Sequence, residues 1–180
     1  MAFSLNLTMK KSWIFFAAAI ASSILTYTFY DPVSAAIYKF SEPDFRCPIK
    51  LESGRLVIRN DSHGDGDFGA KRRNGRFHSG IDIVAPVGTP VYAARSGIAF
   101  CGNVPTGYGK YVMIYHPDGT QSYYGHLSAW CVASTTKVHR GDIIGFVGKT
   151  GNASSREMEP HLHFEIRRDG EPQDPQGLMK

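Results

Sequence analysis

The stretch His161-Leu162-His163-Phe164-Glu165-Ile166-Arg167 alternates without a break. His161, His163, Glu165 and Arg167 fall on one face, and Leu162, Phe164 and Ile166 on the other. That is the period-two pattern of a strand with one face in a core. Two imidazoles two residues apart therefore point into the same space. A neutral imidazole is a common metal ligand, and it titrates near neutral pH, so it can also move protons. Taken alone, the seven residues fit equally well a strand with two exposed histidines. Two segments upstream weigh against that reading: His78-Ser79-Gly80-Ile81-Asp82 and Tyr124-Gly125-His126-Leu127-Ser128.

Around this strand the chain is a series of short apolar runs broken by Gly and Pro. Strands are expected at Leu56-Val57-Ile58 and over residues 91–94, 97–100, 110–115, 121–126 and 142–147. Pro117-Asp118-Gly119-Thr120 carries the Asp-Gly signature of a hairpin turn. Consecutive strands with tight turns imply antiparallel pairing, so the fold class expected is all-β with an antiparallel sheet core. The 180 residues suffice for one domain with a real core. A composition of 42% hydrophobic and 20% charged residues is that of a globular protein and argues against disorder.

The formal charge of +4 is a mild basic bias, with no basic stripe and no nucleic-acid motif. Lys71-Arg72-Arg73 with Arg76 is the one dense patch. It reads as a solvated loop, or alternatively as a contact to an anionic polymer such as a cell wall. Lys10 and Lys11 precede an uncharged run over residues 12–30, and Val33-Ser34-Ala35 places small residues before a cut after Ala35. Residues 1–35 are therefore expected to be a signal peptide, with an uncleaved membrane anchor as the alternative. Either puts the rest outside the cytoplasm, in the periplasm, cell envelope or medium. Residues 36–60 read as a linker and first strand, and 61–180 as the functional domain. Three cysteines, Cys47, Cys101 and Cys131, allow one disulfide at most or three free thiols, and their spacing excludes a local zinc knuckle.

His78 and Asp82 are four apart with Gly80 between them, and in an extended segment such positions share a face. With one histidine of the last strand they make a His-Asp-His set. Imidazoles with one carboxylate suit zinc, whose catalytic sites keep three protein ligands and one open position. Calcium prefers more oxygens, and no His-Glu-x-x-His helix is present. His126 and the other member of the His161/His163 pair are left for proton transfer and for charge at the oxyanion. Spacing alone leaves open which of His161 and His163 is the ligand.

Further motifs follow in order: Ala85-Pro86-Val87-Gly88-Thr89-Pro90-Val91-Tyr92-Ala93-Ala94, Gly107-Tyr108-Gly109, Gly141-Asp142-Ile143-Ile144-Gly145 and Gly148-Lys149-Thr150-Gly151. With Phe77-His78-Ser79-Gly80-Ile81-Asp82, Tyr124-Gly125-His126-Leu127-Ser128 and the last strand, this series resembles the lysostaphin-type, or LytM-domain, zinc metallopeptidases over about residues 64 to 175. The resemblance implies an antiparallel sheet of the lysostaphin/LytM type, a duplicated hybrid motif with a loop-walled groove. It implies His78, Asp82 and His163 as ligands of one Zn2+, and His126 and His161 as catalytic residues. It implies an endopeptidase that cuts peptidoglycan peptides. The chain is expected to be a monomer that meets membrane only where the alternative of an N-terminal anchor holds. Alternatives are a non-hydrolytic regulator of another wall hydrolase and an enzyme aimed at another cell's wall.

Two departures from the family pattern stand out. Residues 152–159 are longer than the usual link and are expected to border the groove, and Thr135 stands where the family often has Gly. His116 is expected to be structural, and His63 and His139 to lie on the surface. Glu165 reads as a solvated strand residue, with a role in orienting a histidine as its alternative.

Overall fold

Gly and Pro cut the apolar runs into short strands, and the strands assemble by hairpins and longer returns into one antiparallel sheet. The computed structural model describes residues 32–51, 54–72 and 75–180. Most of the expected signal peptide, residues 1–31, lies outside the described residues. Residues 32–41 form a helix that belongs to a separate compact unit, residues 1–41.

The unit of residues 42–180 carries the strands. They are β1 (Asn60–Asp61), β2 (Gly64–Asp65), β3 (Ile81–Val84), β4 (Pro90–Tyr92), β5 (Gly97–Asn103), β6 (Lys110–Tyr115), β7 (Gln121–Trp130), β8 (Thr136–Val138), β9 (Ile143–Val147), β10 (His161–Arg168) and β11 (Glu171–Gln173). β1 and β2 pair as a small hairpin. The other nine make one sheet, in the order β11-β10-β7-β6-β5-β8, with β3 on β10 and with β9 joining β4 to β7. The antiparallel all-β expectation holds.

Strict alternation sets the faces. Ile81, Ile83, Val112, Ile114, Tyr124, Leu162, Phe164 and Ile166 are essentially fully buried in the core. Burying each large apolar side chain contributes about 1.5–3 kcal/mol. The opposite face of β10, with His161, His163 and Glu165, is buried as well. β10 is flanked by β3 and β7, and loops rise over its polar face to make a cleft.

Strand positions follow the sequence expectation closely at β6, β9 and β10. β7 runs on to Trp130 through a bulge between Leu127 and Ala129. Leu56-Val57-Ile58 makes a single bridge, Ile58 to Ile83, in place of a strand. β8 and β11 were not expected from sequence: each has three residues, too few to show a period. The three cysteines are free thiols, Cys47 and Cys101 half-buried and Cys131 exposed.

Candidate metal centre

Register brings the first pair of donors together. Asp82 on β3 lies directly opposite His163 on β10, and His163 Nδ1 is 2.9 Å from Asp82 Oδ1. Slipping either strand by one residue would turn one of the two into the core. His78 arrives by a different route. An extended chain separates residues i and i+4 by about 13 Å, so sharing a face is not enough. The chain bends at Ser79 and Gly80, and His78 Nε2 comes to 3.2 Å from Asp82 Oδ1. The bend depends on glycine: a Cβ on Gly80 would sit 2.3 Å from the Phe164 carbonyl oxygen. The spacing was read correctly from sequence, but the reason is a bend, not an extended segment.

Hydrogen bonds on the far side of each ring decide which nitrogen faces the cleft. His78 Nδ1 donates to the Asp67 carbonyl at 2.9 Å, His126 Nδ1 to that of Thr150 at 2.9 Å, and His161 Nδ1 to that of Glu159 at 2.6 Å. A carbonyl only accepts, so each ring is left with an Nε2 lone pair. His163 is reversed. Its Nε2 faces Glu165 Oε2 at 3.3 Å, and its Nδ1 faces Asp82 and also His78 Nε2 at 3.0 Å. The donor atoms of His78, Asp82 and His163 lie within 4.8 Å of one another, and so do those of Asp82, His126 and His161. Asp82 is common to both groups: His78 and His163 complete one, His126 and His161 the other.

Two nitrogens and one carboxylate oxygen with cleft beside them fit a zinc ion with an open position. The electrostatics also favour a cation. Burial opposes a proton on His163, yet hydrogen bonds to Asp82 and Glu165 push its pKa up to about 9. Burial would raise Asp82, but the His163 and His78 rings beside Oδ1 hold it well below the usual carboxylate range. Its other oxygen, Oδ2, accepts from the guanidiniums of Arg59 at 3.0 Å and Arg72 at 3.2 Å, which leaves Oδ1 for the cleft. By contrast, burial first and the neighbouring histidines second lower His126 to about 3. Burial likewise lowers His161. Burial thus favours the uncharged form of both rings, each with its Nε2 lone pair toward the cleft.

His126 sits in a left-handed conformation, φ 62°. Its N–H donates to the Tyr108 carbonyl at 2.7 Å, which holds the imidazole over the cleft. The ring centroids of His126 and His161 are 5.0 Å apart, edge to face. The cleft has a volume of about 630 Å³ and is walled by Arg72, Arg76, Phe77, Tyr108, Asn152 and Met158 among others. Loop 152–159 borders it as expected. The loop is pinned to the β1–β2 hairpin where Ser155 Oγ meets His63 Nε2 at 3.1 Å and where Glu159 N donates to Asp61 Oδ2 at 3.0 Å.

Several residues depart from the sequence reading. Glu165, expected to be solvated, is fully buried, because donors from three segments close over it. Arg72, expected in a solvated patch, holds Asp82 and the Asp65 carbonyl. His63 lines the cleft wall. Arg59 and Tyr108 were missed. Nothing local marks Arg59, whereas a tyrosine between two turn glycines was a signal. His116 is structural as expected: both ring nitrogens are taken, by the Ser96 carbonyl at 2.8 Å and the Ser122 hydroxyl at 2.9 Å. His139 is exposed.

Residues 76–175 match the model of peptidase family M23, and the chain belongs to that family. It is 46% identical over 100 residues to the DD-carboxypeptidase/endopeptidase Mpg of Neisseria meningitidis serogroup B, a match covering 56% of this chain and 22% of that protein. The chain thus spans about a fifth of the length of that relative. Its structure is similar to the catalytic domain, in a mutant form, of the prophage-encoded M23 protein EnpA from Enterococcus faecalis. That likeness has a TM-score of 0.55 and 31% identity, and covers 72% of this chain and 95% of the other. A zinc-containing peptidase from Vibrio cholerae matches at TM-score 0.58 and 29% identity, over 73% of this chain and 39% of that one.

Proposed function

We propose that this protein is a zinc-dependent endopeptidase that hydrolyses peptide cross-links of bacterial peptidoglycan outside the cytoplasm. One observation carries the reading: a His78-Asp82-His163 donor set beside two neutral imidazoles aimed into the same cleft. His78, Asp82 and His163 would hold the ion, with Nε2, Oδ1 and Nδ1 the atoms turned to the cleft. Zinc supplies Lewis-acid polarisation of a carbonyl and lowers the pKa of water.

His126 and His161 supply what remains. Attack on an amide needs a proton acceptor, then a proton on the departing nitrogen, and it builds negative charge on the carbonyl oxygen. A neutral Nε2 accepts the proton. The imidazolium so formed donates it onward, or donates an N–H bond to the oxyanion. Their Nδ1–H bonds to backbone carbonyls keep both rings aimed through the cycle. The V. cholerae likeness supports zinc, and the name of the Neisseria relative favours a bond between D-amino acids over a Gly-Gly bridge. Export is supported by Lys10 and Lys11 ahead of the uncharged run.

The test is digestion of purified walls of known chemistry, with the new termini identified by mass spectrometry. One cleaved bond type is expected, lost on chelation and restored by zinc. Walls bound but left intact by the zinc-loaded protein would sink the hydrolytic reading in favour of the non-hydrolytic regulator.

A further inference from the structure

Of the four histidines in the two donor groups, three are oriented by backbone carbonyls, which no substitution removes. Among these four, His163 alone is oriented by side chains, and it alone turns Nδ1 to the cleft. Free imidazole interchanges between two tautomers. A carboxylate only accepts, and both ring nitrogens face one: Asp82 Oδ1 lies 2.9 Å from Nδ1 and Glu165 Oε2 3.3 Å from Nε2. Where a cation takes the Asp82 side, Glu165 keeps the Nε2 proton and leaves the Nδ1 lone pair for the ion.

Glu165 is built for that task. It is fully buried, and a buried carboxylate persists only when its oxygens are satisfied. Oε2 accepts from the Tyr108 hydroxyl at 2.6 Å and from the Ser79 hydroxyl at 3.1 Å, beside its contact with His163. Oε1 accepts from Arg167 Nε at 2.5 Å. Arg167 also donates from Nη2 to the Tyr108 oxygen at 3.1 Å, so the brace is closed on itself. The Tyr108 ring stands 5.5 Å from that of His163, while its main-chain carbonyl holds His126. One residue therefore touches both halves of the centre.

We propose that Glu165 is the positioning residue of the metal centre, and that Tyr108 and Ser79 lock its carboxylate against His163 Nε2. This rests on the reading of His163 as a ligand. Glu165 touches neither the cleft nor the ion. It sets the tautomer and the rotation of His163, and its negative charge makes Nδ1 a stronger donor. The Ser79 hydroxyl comes from the same bend that delivers His78, so the brace ties the two nitrogen ligands together.

The experiment measures zinc affinity of the whole chain by competition with a chromophoric chelator, together with the Nε2–H proton signal of His163 in the zinc-loaded protein. Glu165→Gln keeps the shape and removes the charge. It is expected to weaken zinc binding by about 10- to 100-fold, to move the His163 Nε2 proton signal upfield and to speed its exchange with water. Tyr108→Phe and Ser79→Ala together leave the carboxylate in place and remove two of its donors, so they stand in should Glu165→Gln fail to fold. Their expected loss is smaller, about 10-fold or less, with the circular dichroism spectrum unchanged. Unaltered zinc affinity and an unaltered His163 Nε2 proton signal in the folded variants would overturn the proposal. No wall is present in either measurement. A chain that digests no peptidoglycan would leave this result standing, and loss of the positioning role would leave the hydrolytic reading standing.

Discussion

His116 and His163 are both buried on the same sheet, and both bond through two ring nitrogens. Their surroundings differ in one respect. His116 sits on the core side, next to Ser122, whose hydroxyl bridges to that of Tyr124 at 3.0 Å; the Tyr124 oxygen accepts from the Ala94 N–H at 2.9 Å. Every polar atom of that chain points at another member. His163 sits on the cleft side, where His78 Nε2, Asp82 Oδ1 and its own Nδ1 crowd together. In the cleft cluster the His163 proton that Asp82 favours occupies the place a cation would take. Burial of a histidine therefore says little about its role, and the direction of its unshared lone pair says much.

The largest effect should come from exchanging the two. His163→Ala is expected to lose zinc and all measurable wall digestion. His116→Asn is expected to keep one zinc per chain and the same digestion per folded molecule. Metal analysis paired with digestion reads both, and the reverse pattern would move the metal away from the cleft.

His126→Ala and His161→Ala should each retain zinc and lose about 10²- to 10⁴-fold in turnover. The double variant should lose far less than the product of the two, since both act on one transition state. Loss of zinc in His161→Ala with retention in His163→Ala would exchange their roles.

Acid should separate the clusters by stability. Burial lowers His116 from 6.5 to about 4. Its folded pKa lies below its unfolded one, so the unfolded chain binds the extra proton. The contribution is full above pH 6.5 and is lost as pH falls toward 4, by about 3 kcal/mol in all. Denaturant titrations of chelated protein at pH 7 and pH 4.5 should show a shallower loss for His116→Asn than for the parent. An equal loss would remove His116 from the account.

The smallest expected effect concerns backbone strain. His126 and Thr135 both have φ 62°, a region costly for a β-branched residue. Thr135→Gly should stabilise by about 1 kcal/mol without touching digestion. His126→Gly should be more stable than His126→Ala by a similar margin and be as inactive. A Thr135→Gly variant no more stable than the parent would show that the turn carries no strain. It would also remove the reason offered for the family's glycine there.

Strands were legible where alternation ran for five residues or more, as at β6 and β10, and illegible at β8 and β11, which are shorter than a repeat. The candidate donors were legible because His78-x-x-x-Asp82 and His161-x-His163 are local patterns. Glu165 was misread for the same reason. A polar residue on the polar face of a strand reads as solvated, and only contacts from Ser79 and Tyr108, 86 and 57 residues away in sequence, bury it.

By itself the sequence determined the all-β class, the two faces of β10 and the five residues that meet in the cleft, because residue type and two-residue period are local properties of a chain. Its motifs also carried the family. The tertiary structure alone decided how the two histidines of the last strand divide between two donor groups around Asp82, which nitrogen of each ring faces inward, and which side chains stand behind them. Those are settled by register between strands some 80 residues apart and by which acceptor each ring finds behind it. No local pattern of residues encodes either.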